Sequence, residues 1–323
     1  MNMLEPNNVR YVGLLNKTCR LDVILVSLFP AYSRSFFKKV IIFGRVKVNE
    51  QLVLTPKKRL FGLELIEVRF LYRSSFSIYP QRIALDIIYE DVYIIVLNKA
   101  SGFILHPGFG NSEYTIFNGL LYYYPPNTII PRAGIVHRLD KDTTGLLIIA
   151  KSISIYIKLV EVFRLKKLIR EYEGVAFGSL SFSGKIVKPI LRNPVKRVCM
   201  KADNRGKSSI TNYFVKERFP FHTRLRFNLE TGRTHQIRIH MVYVKHPFVG
   251  DKQYGKVLYN SSSYLYNKLK EPKRQVLHAI KLEVLHPVTF VKMKLESPLT
   301  YDILSLLNVL RGTDSLTGGK PSD

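Results

Sequence analysis

The chain of 323 residues has no tryptophan, only two cysteines, and 24 acidic residues against 50 basic ones. Cys19 and Cys199 lie far apart, which excludes a disulfide framework and a cysteine-rich zinc cluster. So little cysteine is typical of a reducing compartment, and we expect a cytoplasmic protein. No stretch is long and uncharged enough to span a bilayer, so we expect no membrane partner.

The excess of positive charge is the strongest signal in the composition. The formal net charge is +26, which favours a polyanionic partner, and nucleic acid is the commonest one. A basic surface kept only for solubility would repel itself and oppose the compact state. The apolar fraction of 46% supports a real core, and the length allows one large domain and a small one.

Residues 134–151 organise the chain. A short apolar lead-in is followed by a charged segment, and the apolar run Leu146–Ala150 then predicts a buried strand. The charged or titratable residues of the segment are His137, Arg138, Asp140, Lys141 and Asp142. Charges beside a buried strand are costly unless they are paired or used. From this pattern alone, a polar loop that caps the strand and a functional loop are about equally good interpretations.

The flanking sequence predicts a modular organisation. Residues 18–75 form a small basic unit with two helical patterns and short alternating strands, and residues 76–84 form a linker containing serine and proline. A larger domain follows over residues 85–306. Residues 307–323 form a tail that we expect to be disordered at its end, because it is rich in Gly, Ser and Thr.

Two long motifs, taken together, resemble the RluA family of RNA pseudouridine synthases. They are HRLDKDTTGLL at residues 137–147 and TGRTHQIR at residues 231–238. The resemblance covers about residues 20–305. Ala100 stands where the family usually has proline, so that turn is less rigid. The N-terminal unit resembles an S4-type RNA-binding domain, although Gly62-Leu63 replaces the usual Gly-Asp; a generic small α/β unit with solvated lysines is the alternative.

The resemblance implies a fold, a reaction and a partner. The fold would be α+β, with a mixed, mainly antiparallel catalytic sheet flanked by helices and loops, and a small S4-like α/β domain. The reaction would convert uridine to pseudouridine without gain or loss of atoms, so neither cofactor nor metal is implied. The partner would be 23S rRNA at its helix 69 stem-loop, as free RNA or in an assembling pre-50S particle, and the enzyme would act as a monomer.

The same resemblance assigns roles to three residues. Asp140 would be the catalytic carboxylate, either as a nucleophile at the sugar or the base or as a base on the 2′ hydrogen, and the sequence leaves these routes open. Arg238 would pair with Asp140, keep it ionised and fix its rotamer. Tyr172 would stack on the uracil and help to remove the C5 proton. Without the resemblance, a tyrosine beside a strand is more often a core aromatic residue.

The target base must leave its stack to reach Asp140, and this step implies roles for further residues. Arg138 would fill the vacated space, and Leu139 and Ile237 would supply an apolar wall. The residues expected to contact RNA in the S4-like unit are Arg34, Lys38, Lys39, Arg45 and Lys47.

Two other functions compete with the isomerase. A non-catalytic RNA-binding factor in ribosome assembly could keep the fold, but it would have no need for Asp140, Tyr172 and Arg238 together. A glycoside or nucleoside hydrolase would need two flanking carboxylates, and the sequence offers one convincing candidate.

Overall fold

A computed structural model of the protein describes residues 8–12, 18–30, 32–62, 64–69, 79–108, 111–255 and 272–317. The chain divides into two compact units, Met1–Tyr79 and Pro80–Asp323. Leu63 and residues 70–78, which include the start of the predicted linker 76–84, lie outside the described residues.

The N-terminal unit packs two helices on short strands. The helices are α1 (Leu21–Leu28) and α2 (Arg34–Ile42), and the strands are β1 (Asn8–Val12), β2 (Cys19–Arg20), β3 (Val46–Val48), β4 (Gln51–Leu52), β5 (Arg59–Leu60) and β6 (Leu65–Arg69). One sheet has the order β1-β6-β3-β4, and β2 pairs with β5. The hydroxyl of Ser33 accepts a hydrogen bond from the backbone N–H of Phe36 and starts α2. The helical spacing of Phe37, Val40 and Ile41 buries one face of α2 in the core.

The second unit is built on a large, mainly antiparallel sheet. Its strands are β7 (Ile87–Glu90), β8 (Ile94–Lys99), β9 (Thr144–Ala150), β10 (Leu168–Phe177), β11 (Gly184–Val187), β12 (Ile190–Arg192), β13 (Met200–Ala202), β14 (Ile210–Arg218), β15 (His222–Leu229), β16 (Leu277–Leu285) and β17 (Lys292–Glu296). In the described residues the sheet order is β11-β14-β15-β10-β16-β9-β8-β7, with β17 also on β16, while β12 and β13 form a separate pair. Only β9 and β16 run parallel among these pairings, so the predicted α+β fold with a mixed sheet is confirmed.

Helices cover the sheet of the second unit. They are α3 (Ile116–Tyr123), α4 (Ile153–Arg164), α5 (Gln236–Tyr243) and α6 (Tyr301–Thr317), with two 3-10 segments at Pro125–Ile129 and Pro131–Gly134. Thr115 and Asn118 form a capping box at the start of α3. None of the described helices combines the length and the apolarity that crossing a bilayer requires.

The domain end predicted at residue 306 falls inside α6. Leu307 and Leu310 are buried in an apolar cluster with Val175 and Val276 of the sheet. Ile303, Leu306, Leu307 and Leu310 recur at helical spacing, so this face of α6 packs on the sheet beyond the predicted boundary. The last residues of the predicted tail, 318–323, lie outside the described residues.

Strand β9 is buried along its whole length, as its apolar sequence predicts. Gly145 near its start has φ +107°, and a Cβ atom there would lie 2.2 Å from the carbonyl oxygen of Ala279 in β16. Only glycine permits this close approach of the two strands. The loop before β9 therefore lies next to the start of β16.

Candidate active site

Asp140 and Arg238 meet although 98 residues separate them in the sequence. Asp140 lies in the loop before β9, and Arg238 lies in the first turn of α5. Nη1 of Arg238 donates to Oδ2 of Asp140 at 3.2 Å. The pairing expected from the sequence is therefore present, and the carboxylate keeps 14% exposure, so it remains accessible at the surface of a cavity.

Asp251 fixes the guanidinium of Arg238 from the other side. Nε and Nη2 of Arg238 donate to the two carboxylate oxygens of Asp251 at 2.7 and 2.8 Å. Asp251 is buried, and it also accepts hydrogen bonds from the backbone N–H groups of Gln253 and Tyr254. Burial lowers the pKa of Arg238, but the hydrogen bonds and charge of Asp251 outweigh it and hold that pKa above its ordinary value. This bidentate pair leaves Nη1 directed at Asp140.

The sequence analysis missed the role of Asp251. The available signal was an acidic residue directly after the apolar stretch Phe248–Gly250, where an unpaired charge would be costly.

His235 presents a ring nitrogen to Asp140. Its backbone is left-handed, with φ 55°, and its Nε2 lies 3.8 Å from Oδ1 of Asp140. Nδ1 lies 2.6 Å from the hydroxyl of Tyr254, which accepts a hydrogen bond from the backbone N–H of Met200. Burial raises the pKa of Tyr254 to about 12, and burial lowers the pKa of His235 despite the opposing charge of Asp140. Nδ1 of His235 and the hydroxyl of Tyr254 thus share a hydrogen bond, which turns Nε2 toward Asp140.

Leu139 and Ile237, predicted as an apolar wall, and Tyr172, predicted to stack on the uracil, belong to one buried apolar cluster. None of the three is among the lining residues of the cavity at Asp140. Tyr172 lies in β10, at a bulge opposite Ala279 of β16. Burial raises the pKa of Tyr172, against the opposing charge of Arg170. Its hydroxyl makes no hydrogen bond to any described residue.

The first two residues of the HRLD motif differ in environment. His137 accepts a hydrogen bond from the backbone N–H of Ile148 in β9 and stacks on Phe163. Burial lowers the pKa of His137 to about 3, so it is a neutral residue that holds the loop on the sheet. Arg138 is exposed, and its side chain has no hydrogen bond or ion pair among the described residues.

The basic residues of the N-terminal unit are not equivalent. Lys38, Lys39 and Lys47 are exposed, and Arg45 is half-buried. Nε of Arg34 instead donates to Asp22, which is fully buried on α1. Part of the charge of Arg34 therefore compensates a buried carboxylate, a structural role that the sequence analysis did not foresee.

A cavity of about 230 Å³ opens at Asp140. Its lining residues are Asp140, Lys141, Asp142, His235, Arg238, Gly250, Lys252, Gln253, Lys273, Arg274 and Gln275. The cations outnumber the carboxylates in this lining, which suits a ligand that carries phosphate. Within the described ranges, no group of three or more His, Cys, Asp or Glu side chains converges as metal ligands would.

Comparison with known proteins agrees with this geometry. The family model described as RNA pseudouridylate synthase matches residues 93–243, and the S4 domain model matches residues 19–60. Ribosomal large subunit pseudouridine synthase D of Escherichia coli is 44% identical over 295 residues, covering 90% of each chain. The protein of that name from Buchnera aphidicola subsp. Acyrthosiphon pisum is 46% identical over 291 residues, covering 89% of this chain and 93% of the relative.

Solved structures share the fold of the second unit. Human RNA Pseudouridylate Synthase Domain Containing 4 has a TM-score of 0.57 at 22% identity and covers 70% of this chain and 93% of its own. Identity over nearly the whole chain, with both motifs at one cavity, identifies the protein: it belongs to the RluA family of RNA pseudouridine synthases and resembles synthase D, so it is an enzyme that forms pseudouridine in ribosomal RNA.

Proposed function

We propose that the protein isomerises uridines in the helix 69 stem-loop of 23S rRNA, after flipping each target base into the cavity at Asp140. The proposal rests mainly on two hydrogen bonds beside a cation-rich cavity: Arg238 donates to Asp251, which fixes it, and to Asp140. The printed name of the relatives supports a large-subunit target. A pseudouridine map of 23S rRNA from cells with and without the protein tests it, because loss of pseudouridine elsewhere than helix 69 would contradict the proposed target.

The chemistry needs an ionised carboxylate beside the sugar and base of the target. The C1′–N1 bond breaks, the uracil turns, and C5 joins C1′; the proton that leaves C5 is balanced by the one that N1 gains. Whether Asp140 attacks carbon or removes the 2′ hydrogen, it must start as an anion. Arg238 contacts one oxygen of this carboxylate at 3.2 Å, and Nε2 of His235 lies 3.8 Å from the other.

Tyr172→Phe tests the role of the hydroxyl. We expect slower product formation, by about 10²- to 10⁴-fold if the hydroxyl assists proton transfer at C5, with near-normal RNA binding because the ring face remains. Single-turnover rates and RNA dissociation constants measure the two effects. An unchanged rate would show that the hydroxyl has no chemical role.

The N-terminal unit would bind RNA through the exposed lysines of α2 and β3, within an S4-like domain over residues 18–75 joined by the linker 76–84 to the catalytic domain. Lys38, Lys39 and Lys47 are exposed, and the S4 family model matches this unit. Arg45 would lie among these contacts. Arg34 would contribute less, since Asp22 shares its charge.

Removal of residues 1–79 should weaken RNA binding and blur target choice without destroying chemistry. Each lost phosphate contact should reduce the slope of log K against log salt by about 0.7 to 0.9. The measurement compares full-length and truncated protein on one stem-loop RNA at several salt concentrations. A full-length Lys38→Ala/Lys39→Ala variant is the matched control and should show an intermediate slope. Equal slopes and affinities for all three proteins would rule out RNA contact by this unit.

The remaining parts of the proposal concern the partner and the state of the enzyme. We propose that it works in the cytoplasm as a monomer on 23S rRNA, free or within assembling pre-50S particles. Sedimentation at micromolar concentration should give the mass of one chain, and comparison of rates on bare rRNA and on pre-50S particles would reveal the preferred substrate.

A further inference from the structure

Three successive carbonyl groups that follow Asp140 each accept a hydrogen bond from a buried cation. Nζ of Lys99 donates to the carbonyl oxygens of residues 141 and 143 at 2.8 and 2.9 Å. Nη1 of Arg274 donates to the carbonyl oxygen of residue 142 at 3.1 Å. The backbone N–H of residue 143 in turn donates to the carbonyl of Asp140, which closes the turn. Each of the three residues that follow Asp140 in this loop is thus held through its carbonyl group.

Lys99 ends β8 and is 1% exposed. Its third proton goes to the carbonyl of Ala100, so all three donors of the ammonium group are used. No carboxylate among the described residues forms an ion pair with it. Burial lowers the pKa of Lys99 to about 7, while the charges of Asp142 and Asp140 act in the opposite direction. An apolar side chain of equal length would fill this space without the cost of burying an amine.

Arg274 precedes β16 and connects the loop to the start of α6. Nη2 donates to the hydroxyl of Thr300 and to Asp302, and Nε contacts the second carboxylate oxygen of Asp302 at 2.8 Å. These contacts fix the position of the guanidinium, and its Nη1 is left to donate to the loop. Because one cation comes from β8 and the other from beside β16, the loop is attached to two strands on either side of β9.

We propose that Lys99 and Arg274 are positioning residues for catalysis, which hold the turn 140–143 so that the carboxylate of Asp140 faces both Arg238 and the cavity. The inference rests on the proposed catalytic role of Asp140. A cation is suited to the task because one ammonium or guanidinium group can donate to several carbonyl groups at once, whereas a methionine of similar length has no donor. A displacement of about 1 Å at a reacting group can cost about 10²-fold in rate.

The test compares Lys99→Met with the matched variant Lys151→Met. Lys151 follows β9, and its Nζ donates to Glu90 and to the carbonyl of Asp91. It lies at the end of the β8–β9 pair opposite to Lys99 and the turn. We expect Lys99→Met to slow single-turnover conversion of uridine in a 23S rRNA transcript by about 10- to 100-fold. The RNA dissociation constant should stay within about threefold. Lys151→Met should lose thermal stability but keep its rate within about twofold.

Loss of rate without loss of affinity, in Lys99→Met alone, supports the proposal. A folded Lys99→Met with the wild-type rate, or equal rate losses in both variants, would overturn it. If Lys99→Met does not fold, Arg274→Lys decides, because it keeps a cation near Asp302 but has too few donors for the loop carbonyl as well. If the wild-type protein leaves the transcript unmodified, the proposed function is refuted instead. The hydrogen bonds of Lys99 and Arg274 to the turn 140–143 would then have a structural role only.

Discussion

Asp140→Asn should abolish pseudouridine formation while RNA affinity stays within a few fold. The substitution keeps the shape of the side chain and removes the anion that every route to the product requires. Loss of an essential nucleophile or base typically costs more than about 10⁴-fold in rate. The measurement is tritium release or direct nucleoside analysis with protein purified from a host that lacks its own synthase of this type. Substantial turnover would refute the assignment of Asp140.

The same variant offers a test of base flipping, since it should bind RNA without consuming it. A 2-aminopurine placed beside the target uridine should gain fluorescence on binding Asp140→Asn, because the flipped base leaves its stack. Arg138 is exposed and free to enter the vacated space. Adding Arg138→Ala should therefore reduce the fluorescence gain. An equal gain with and without Arg138 would remove that residue from the flipping step.

Arg238→Met should reduce activity and stability together. It leaves Asp251 buried and without its partner, which typically costs about 3–5 kcal/mol of unfolding free energy. It also removes the cation that contacts Asp140. With that contact gone, the carboxylate of Asp140 is no longer held in position, so single-turnover conversion should slow by about 10²-fold or more. Single-turnover rates and unfolding free energies measure the two losses.

The double variant Arg238→Met/Asp251→Asn separates the two effects. An asparagine at 251 can still accept hydrogen bonds from the backbone N–H groups of Gln253 and Tyr254. It is neutral, so no buried charge is left without a partner. Stability should recover in the double variant, while the single-turnover rate stays low. If the rate also returns to the wild-type value, the loss came from the unpaired Asp251, and the contact between Arg238 and Asp140 is not needed for the reaction.

Local features of the fold were predictable because their causes lie in neighbouring residues. The apolar run Leu146–Ala150 forms the buried strand β9, and Ser33 caps α2. The helical spacing of Leu307 and Leu310 buries both residues, so α6 continues past the predicted domain end at 306.

The sequence by itself determined the α+β architecture, the excess of positive charge and, through two specific motifs, the family. It also pointed to Asp140 and Arg238 as candidate site residues. Only the tertiary structure decided how these residues are held. Asp251 locks Arg238, Asp22 engages Arg34, and Lys99 reaches a turn more than 40 residues away. These pairings depend on which charges the fold buries and on which loops the order of the strands brings together. A local sequence pattern predicts neither of these.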